Sequence, residues 1–306
     1  MSLNNLNLSN IYEISTLYFH KDGVFCLCIL RDKRIMSSSN DCSIRIFNEN
    51  SFECDLIINE NNEGVIFVSQ LKDETILSCS YNKDIKIYKL IGLFDYQIVQ
   101  KLTKHNNFVF KVIQLSSNEN LISVSQDETV KFWRKFEEKY IHIDSIHDNI
   151  FFQDIIEINN NEIAVSSSKL ELIIFYEIEN KKEIFRINYI KCYFWNNILK
   201  KLNDNILLVG GYDEFYIIDC IEHDVKMKIK NNNCDVTSIL VLNENDFLIG
   251  DFFGNIQHYR YKNNQCKLIS SKQNAHFNEI YSMINYDSKF LLTCSEDYYI
   301  KIWKIN

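Results

Sequence analysis

The chain has no proline, seven glycines and only two alanines, Ala164 and Ala275, in 306 residues. Without proline no turn can be set by a ring-locked φ, and few turns can use a residue that lacks Cβ. Asn, Asp, Ser and Lys must make them instead, and Asn tolerates the left-handed region best among residues with a Cβ. The segments NNE, NNNE and NEND fit that role. The accompanying excess of Asn, Ile, Lys, Tyr and Phe reads as a coding preference for A and T.

Other absences bear on function. Nowhere do eighteen apolar residues follow one another, and Met1 to Asn10 carries neither a basic stretch nor an apolar run, which argues against secretion and against a membrane span. Ten cysteines are present, but apart from Cys26-Leu27-Cys28 they are scattered, with no Cys-x-x-Cys pair and no companion histidines at zinc-finger spacing. No metal site and no cofactor is implied. Cys79 and Cys294 stand where small buried apolar residues are expected, which suits a reducing compartment, cytoplasm or nucleus. A formal charge of −8 and a pI near 5.5 leave no broad surface for phosphates, so a nucleic-acid partner is disfavoured. Glycine-rich phosphate loops, His-Glu-x-x-His and Gly-x-Ser-x-Gly are missing too.

What the chain does have is a repeat. Leu121 to Trp133, LISVSQDETVKFW, pairs a β-branched stretch with an alternating one across a tight turn at Gln126-Asp127-Glu128. Further copies end at Phe47, Tyr88, Phe175, Ile218, Tyr259 and Trp303. Their turn positions are Asp41, Asn82, Asp127, Ser168, Tyr212, Phe253 and Asp297, at intervals of 41, 45, 41, 44, 41 and 44 residues. Seven copies at a period of about 40 to 45 residues are the pattern of a β-propeller. With apolar residues at 46%, the chain can build its core without disulfide staples.

The repeat resembles that of the WD40 family. There a His precedes the innermost strand, a Ser or Thr lies on the second, an Asp in the turn and a Trp on the third. The matching residues here are His105, Ser123 or Ser125, Asp127 and Trp133; His276, Thr293 or Ser295, Asp297 and Trp303; and His20, Ser37 or Ser39, Asp41 and Phe47. His147 takes the position in the fourth copy, while copies two, five and six lack the His, and no copy keeps the Trp-Asp dipeptide. Such a set can satisfy itself away from water, where each unpaired group costs about 1–3 kcal/mol. It recurs from copy to copy, which marks it as structural, since a catalytic triad is needed once. Blades five and six, lacking His and Asp and carrying Gly210-Gly211 and Gly250 in place of hydroxyl residues, should rely on apolar packing.

The expectation is a single domain over residues 1–306: an all-β, seven-bladed propeller with four antiparallel strands per blade. The resemblance implies that the strand at residues 10–17 completes blade seven. The connection Lys89 to Asp95, rich in apolar residues, should pack on its own blade; the alternative is that it docks a partner. The resemblance further implies a non-enzymatic scaffold that binds a peptide or another subunit, within a multisubunit complex, through the face lined by the turns. The alternatives are an enzyme with a site at the central channel and an RNA- or ribosome-associated scaffold. The residue before each turn Asp and those at the mouth of each innermost strand should line that face: Tyr81, Phe108, Phe110, Gln126, Trp195, Phe252, Tyr281 and Glu296. Aromatics there supply binding energy, and Glu296 selects a basic group.

Overall fold

A computed structural model describes residues 6–167, 171–188, 190, 198–231, 234–287 and 289–305. They form seven four-stranded antiparallel sheets. Blade one comprises Val24–Ile29, Ile35–Ser39, Ile44–Phe47 and Cys54–Ile58. Blade two runs from Val65 to Leu102, blade three from Val109 to His147, blade four from Asp154 to Asn188, blade five from Leu199 to Lys230 and blade six from Val236 to Lys272. The inner three strands of blade seven are Ile280–Tyr286, Phe290–Ser295 and Ile300–Lys304. Its fourth is the N-terminal strand Tyr12–Leu17, which pairs Tyr12 with Lys304 and Leu17 with Ile300.

Each innermost strand packs against the innermost strand of the next blade, and that of blade seven against that of blade one. The ring is thus a closed seven-bladed β-propeller with no open sheet edge at the join. Ahead of the closing strand, the 3-10 turn Leu8–Asn10 lies against the two outer strands of blade six. Leu6, Leu8 and Ile11 are buried there with Leu248, Ile256 and Trp303.

In blades one to six the second strand is buried at every position, and in blade seven at all but Phe290, because one sheet face packs on the preceding blade and the other on the next. Outermost strands alternate in exposure, as half-buried edges should; the pattern along Asp95–Leu102 is one such case. Of the connection expected to fold onto blade two, only Leu90 packs on the core. Its third strand extends through Ile91, and the tip projects, with Leu93 52% and Phe94 69% exposed.

The turns depart from expectation as well. Asn149, Asn263, Asn264, Asn274, Asp213, Asp287, Lys33, Lys83 and Lys181 hold positive φ as expected, but after the turn Asp of blades one, three and seven the left-handed residue is Cys42, Glu128 or Tyr298. Neighbouring hydrogen bonds hold them there. In blade three Ser125 Oγ accepts the Asp127 amide at 3.0 Å and Asp127 Oδ1 accepts the Thr129 amide at 3.1 Å, bracketing Glu128.

Candidate partner-binding face and the blade networks

In blade three the four residue types converge. His105 Nδ1 faces Asp127 Oδ2 at 2.8 Å, and because a carboxylate can only accept, Nδ1 carries the proton. His105 Nε2 then accepts from Ser123 Oγ at 2.7 Å, and Ser123 Oγ accepts from Trp133 Nε1 at 2.9 Å. Burial lowers the pKa of His105 in spite of its carboxylate partner, which keeps the ring neutral. Burial alone would raise Asp127, but donation from His105, Thr129 and the Asn106 amide outweighs it and holds the carboxyl far below the usual range. Ser125 is not in this chain: it donates to Asn107 C=O and pins the turn.

Blade seven repeats the arrangement with His276, Asp297, Thr293 and Trp303 at 2.8, 2.7 and 2.9 Å. Blade one repeats it with His20, Asp41 and Ser37 at 2.9 and 2.7 Å, where Phe47 supplies bulk but no indole donor.

Elsewhere the chemistry is replaced. For blade four, His147 ends the outer strand of blade three with its side chain exposed, and the adjacent, half-buried Asp148 makes the contacts instead. Asp148 Oδ2 accepts from Tyr176 at 2.8 Å and from Arg186 at 2.5 Å. A one-residue displacement on a strand reverses the side chain, which is why the histidine points away. Ser168, the turn residue there, lies outside the described residues.

In blade two Asn61 stands in for the His, with Tyr88 Oη 3.5 Å from Asn61 Nδ2 and 3.3 Å from Ser78 Oγ. Nor does blade six rely on apolar packing alone. Asp251 accepts from Asn255 at 3.0 Å and from Gln257 at 3.4 Å, and Gln257 accepts from Tyr259. Buried Asp246 joins His258 at 2.9 Å and Arg260 at 2.8 Å. Blade five fits the apolar expectation better, with Leu207, Leu208, Val209, Ile217 and Ile218 fully buried, although Tyr216 and Lys228 both engage Glu214.

At the mouth of the channel a second regularity appears. The amide of the turn-preceding residue donates to a carbonyl at the start of the innermost strand: Asn40 to Gly23, Tyr81 to Gly64, Gln126 to Phe108, Phe252 to Asp235 and Glu296 to Glu279. Turn and strand mouth therefore share one face, called the top face below. The turns of blades seven and one also lean on the next blade. A Cβ on Gly23 would lie 2.0 Å from Glu296 Oε2, and one on Gly64 would lie 2.4 Å from Asn40 Oδ1 and 3.1 Å from Tyr81, so any larger residue there would displace these turn side chains.

Just inside the mouth, the register of the innermost strand shifts in five blades, leaving Phe25, Ile66, Phe110, Thr237 and Tyr281 as bulged residues. A bulge re-aims its side chain. Phe25 and Tyr281 meet at 5.2 Å, Phe25 and Tyr81 at 6.3 Å, and Tyr81 and Phe108 at 4.8 Å, all edge to face. That is one continuous aromatic seam over blades seven, one, two and three.

Of the residues expected on this face, Tyr81 and Phe108 are half-buried in the seam, and Tyr281 is 5% exposed within it. Gln126 and Glu296 are half-buried beside it. Phe110 is not on the surface: at 1% exposure it fills the core between blades three and four, beside Phe152 and Val130. Phe252 lies apart on blade six, its ring against Phe253 at 5.6 Å. Trp195 lies outside the described residues. Sequence reading did not single out Phe25 as part of an aromatic seam; its signal was the aromatic that follows Gly23-Val24 at the first strand mouth. Burial, Asp22 and Glu279 raise the pKa of Glu296, opposed by a hydrogen bond from Tyr281. A cation placed there would be stabilised.

Among the described residues no group of three or more His, Cys, Asp or Glu side chains could hold a metal ion, and no helix is long and apolar enough to cross a membrane.

The family described as WD domain, G-beta repeat matches residues 12–48, 96–134 and 266–304. These segments contain the turns, hydroxyls and aromatic third strands of blades one, three and seven, the three that keep the His-Asp pair. No curated protein compared with the chain matches it. With three repeats matched and seven blades closed by the N-terminal strand, the chain is a seven-bladed β-propeller that carries WD40 repeats in blades one, three and seven.

Proposed function

We propose that this propeller is a non-enzymatic scaffold whose top face binds a peptide or subunit carrying an apolar side chain next to a basic one. WD40 propellers commonly serve as protein-interaction scaffolds, and one observation makes the proposal specific. The seam of Phe25, Tyr81, Phe108 and Tyr281 is bordered by the carboxylates of Asp22 and Glu296 and offers an apolar anchor site beside negative charge. Aromatic anchors with a polar rim are the usual anatomy of a binding hot spot. The recurrence of the buried His-Asp-hydroxyl set in three blades supports a structural role for it over a catalytic one. The partner and the complex to which it belongs would be intracellular.

Panning a random peptide library against the folded protein tests this. Enriched peptides should pair Lys or Arg with an apolar residue. Tyr81→Ala and Phe108→Ala should each weaken them by about 1–4 kcal/mol without loss of fold. If both variants bind as the parent does, the partner uses the rim or the opposite face.

A further inference from the structure

Below the aromatic seam, the innermost strands enclose a cavity of about 240 Å³ in the central channel. Its walls come from six blades and include Phe67, Val68, Ile239 and Met283, with Ser69 and Ser282 between them. Two lysines, Lys111 and Lys200, reach into this space of mixed apolar and polar lining.

The lysines are not equivalent. Lys111 Nζ lies 2.5 Å from Asp154 Oδ1 and 6.0 Å from the centre of the Phe67 ring. Asp154, fully buried, also accepts the amides of Ile155 at 2.8 Å and Leu199 at 2.9 Å, so its oxygens are occupied. Lys200 follows Leu199 directly and makes no hydrogen bond or ion pair among the described residues. It is enclosed by protein yet half-buried by surface, because the surface it exposes is the channel wall.

The charges can be added. Lys111 and Asp154 cancel, and the thiols of Cys26 and Cys28 are protonated, raised by burial, that of Cys28 to about 11. One positive charge is left over, on an amine with no hydrogen-bond or ion-pair partner among the described residues. Burying an unpaired ammonium is costly, and burial together with Lys111 pulls Lys200 down to about 8 against the pull of Asp154 and Cys26.

We propose that the channel is a binding site for a short aliphatic carboxylate, its head on Lys200 Nζ and its tail along Phe67, Val68, Ile239 and Met283. The cavity is smaller than the roughly 300–1,000 Å³ of drug-sized sites, which limits the ligand to a small acid. Inorganic phosphate suits it less, since its further oxygens would face apolar walls.

The test uses the full chain, with hexanoate, hexanol and inorganic phosphate titrated by calorimetry at pH 8. Hexanoate should bind saturably, at least about tenfold more tightly than hexanol or phosphate, since hydrogen bonds to charged groups are the stronger class. Because the anion favours the ammonium form, binding should take up part of a proton, seen as a dependence of the heat on buffer ionisation enthalpy. Lys200→Met should weaken hexanoate by about tenfold or more and leave hexanol unchanged. An apolar replacement of a buried charge is usually tolerated; should this one not fold, Lys200→Gln replaces it. In the parent, hexanoate should also slow acetylation of Lys200 but not of exposed Lys104. The proposal is overturned if hexanoate does not saturate, if hexanol binds as tightly, or if hexanoate binding survives the loss of Lys200.

Discussion

Replacing Asp127 by Ala is the most informative single change to the fold. The carboxylate accepts from four donors: His105 Nδ1 at 2.8 Å, the Asn106 amide at 2.9 Å, the Thr129 amide at 3.1 Å and Thr129 Oγ1 at 2.6 Å. Its side chain is 4% exposed and that of His105 0%, so water can reach few of the orphaned groups. One unsatisfied buried donor costs about 1–3 kcal/mol, and the turn donors can recover part of theirs from solvent, which places the loss at about 1–3 kcal/mol in all. Urea unfolding followed by far-UV circular dichroism measures it. Peptide binding should persist in whatever fraction stays folded. An unchanged unfolding midpoint, or lost binding in a fully folded variant, refutes the structural assignment of Asp127. The parent should show the same physics as pH falls. His20, His105 and His276 titrate lower folded than unfolded, so the unfolded chain takes up more protons below about 6.5 and stability drops. Asp41, Asp127 and Asp297 are depressed too, and their contribution, present above about 3.9, is lost in the acid range beneath it.

Three further outcomes are expected. Deleting residues 1–17 removes the fourth strand of blade seven, the buried Leu8, Ile11 and Leu17, and the 3.0 Å contact of His258 with the Leu6 carbonyl; the melting temperature should fall sharply, and an unchanged melt contradicts ring closure. His147→Ala should change stability by no more than about 0.5 kcal/mol, whereas Asp148→Ala leaves the buried Tyr176 hydroxyl unpaired, Arg186 keeping Glu183, and should cost about 1–3 kcal/mol, so equal effects would deny the exchange of roles in blade four. Gly250→Ser should destabilise by about 1–3 kcal/mol in a denaturant titration, because a Cβ there would lie 2.4 Å from Ser238 Oγ and 2.9 Å from Ile280 Cβ; a neutral result would mean that blades six and seven can part without cost.

The ring was legible because its signal is periodic. Turn positions 41 to 45 residues apart, each followed by an alternating strand, count the blades and place the second and third strands with little dependence on side-chain identity. The intact sets at His20, His105 and His276 were legible because all members sit at fixed offsets within one copy. What was hidden depends on where side chains point. Ser123 and Ser125 share a strand face, and only the structure separates the partner of the imidazole from the residue that braces the turn. Phe110 reads as a strand-mouth aromatic like Phe25, yet the same bulge that puts Phe25 against Tyr81 sends Phe110 into the core. Asn61 and Tyr88 replace His and Trp with a different chemistry, which no search for the original types can find. The channel charge was hidden for another reason: Lys111, Asp154 and Lys200 lie on three blades, and separations of 43 and 46 residues carry no local pattern.

The central functional claim is that partners dock over the seam on the top face. Hydrogen–deuterium exchange with and without a peptide taken from the library tests it most directly. The account predicts protection confined to the segments carrying Gly23–Phe25, Asn40, Gly64–Ile66, Tyr81, Phe108, Tyr281 and Glu296, with the outer hairpins at Ile91–Val99 and Phe136–Ile143 unchanged. Protection of those hairpins with an unaltered top face would contradict it.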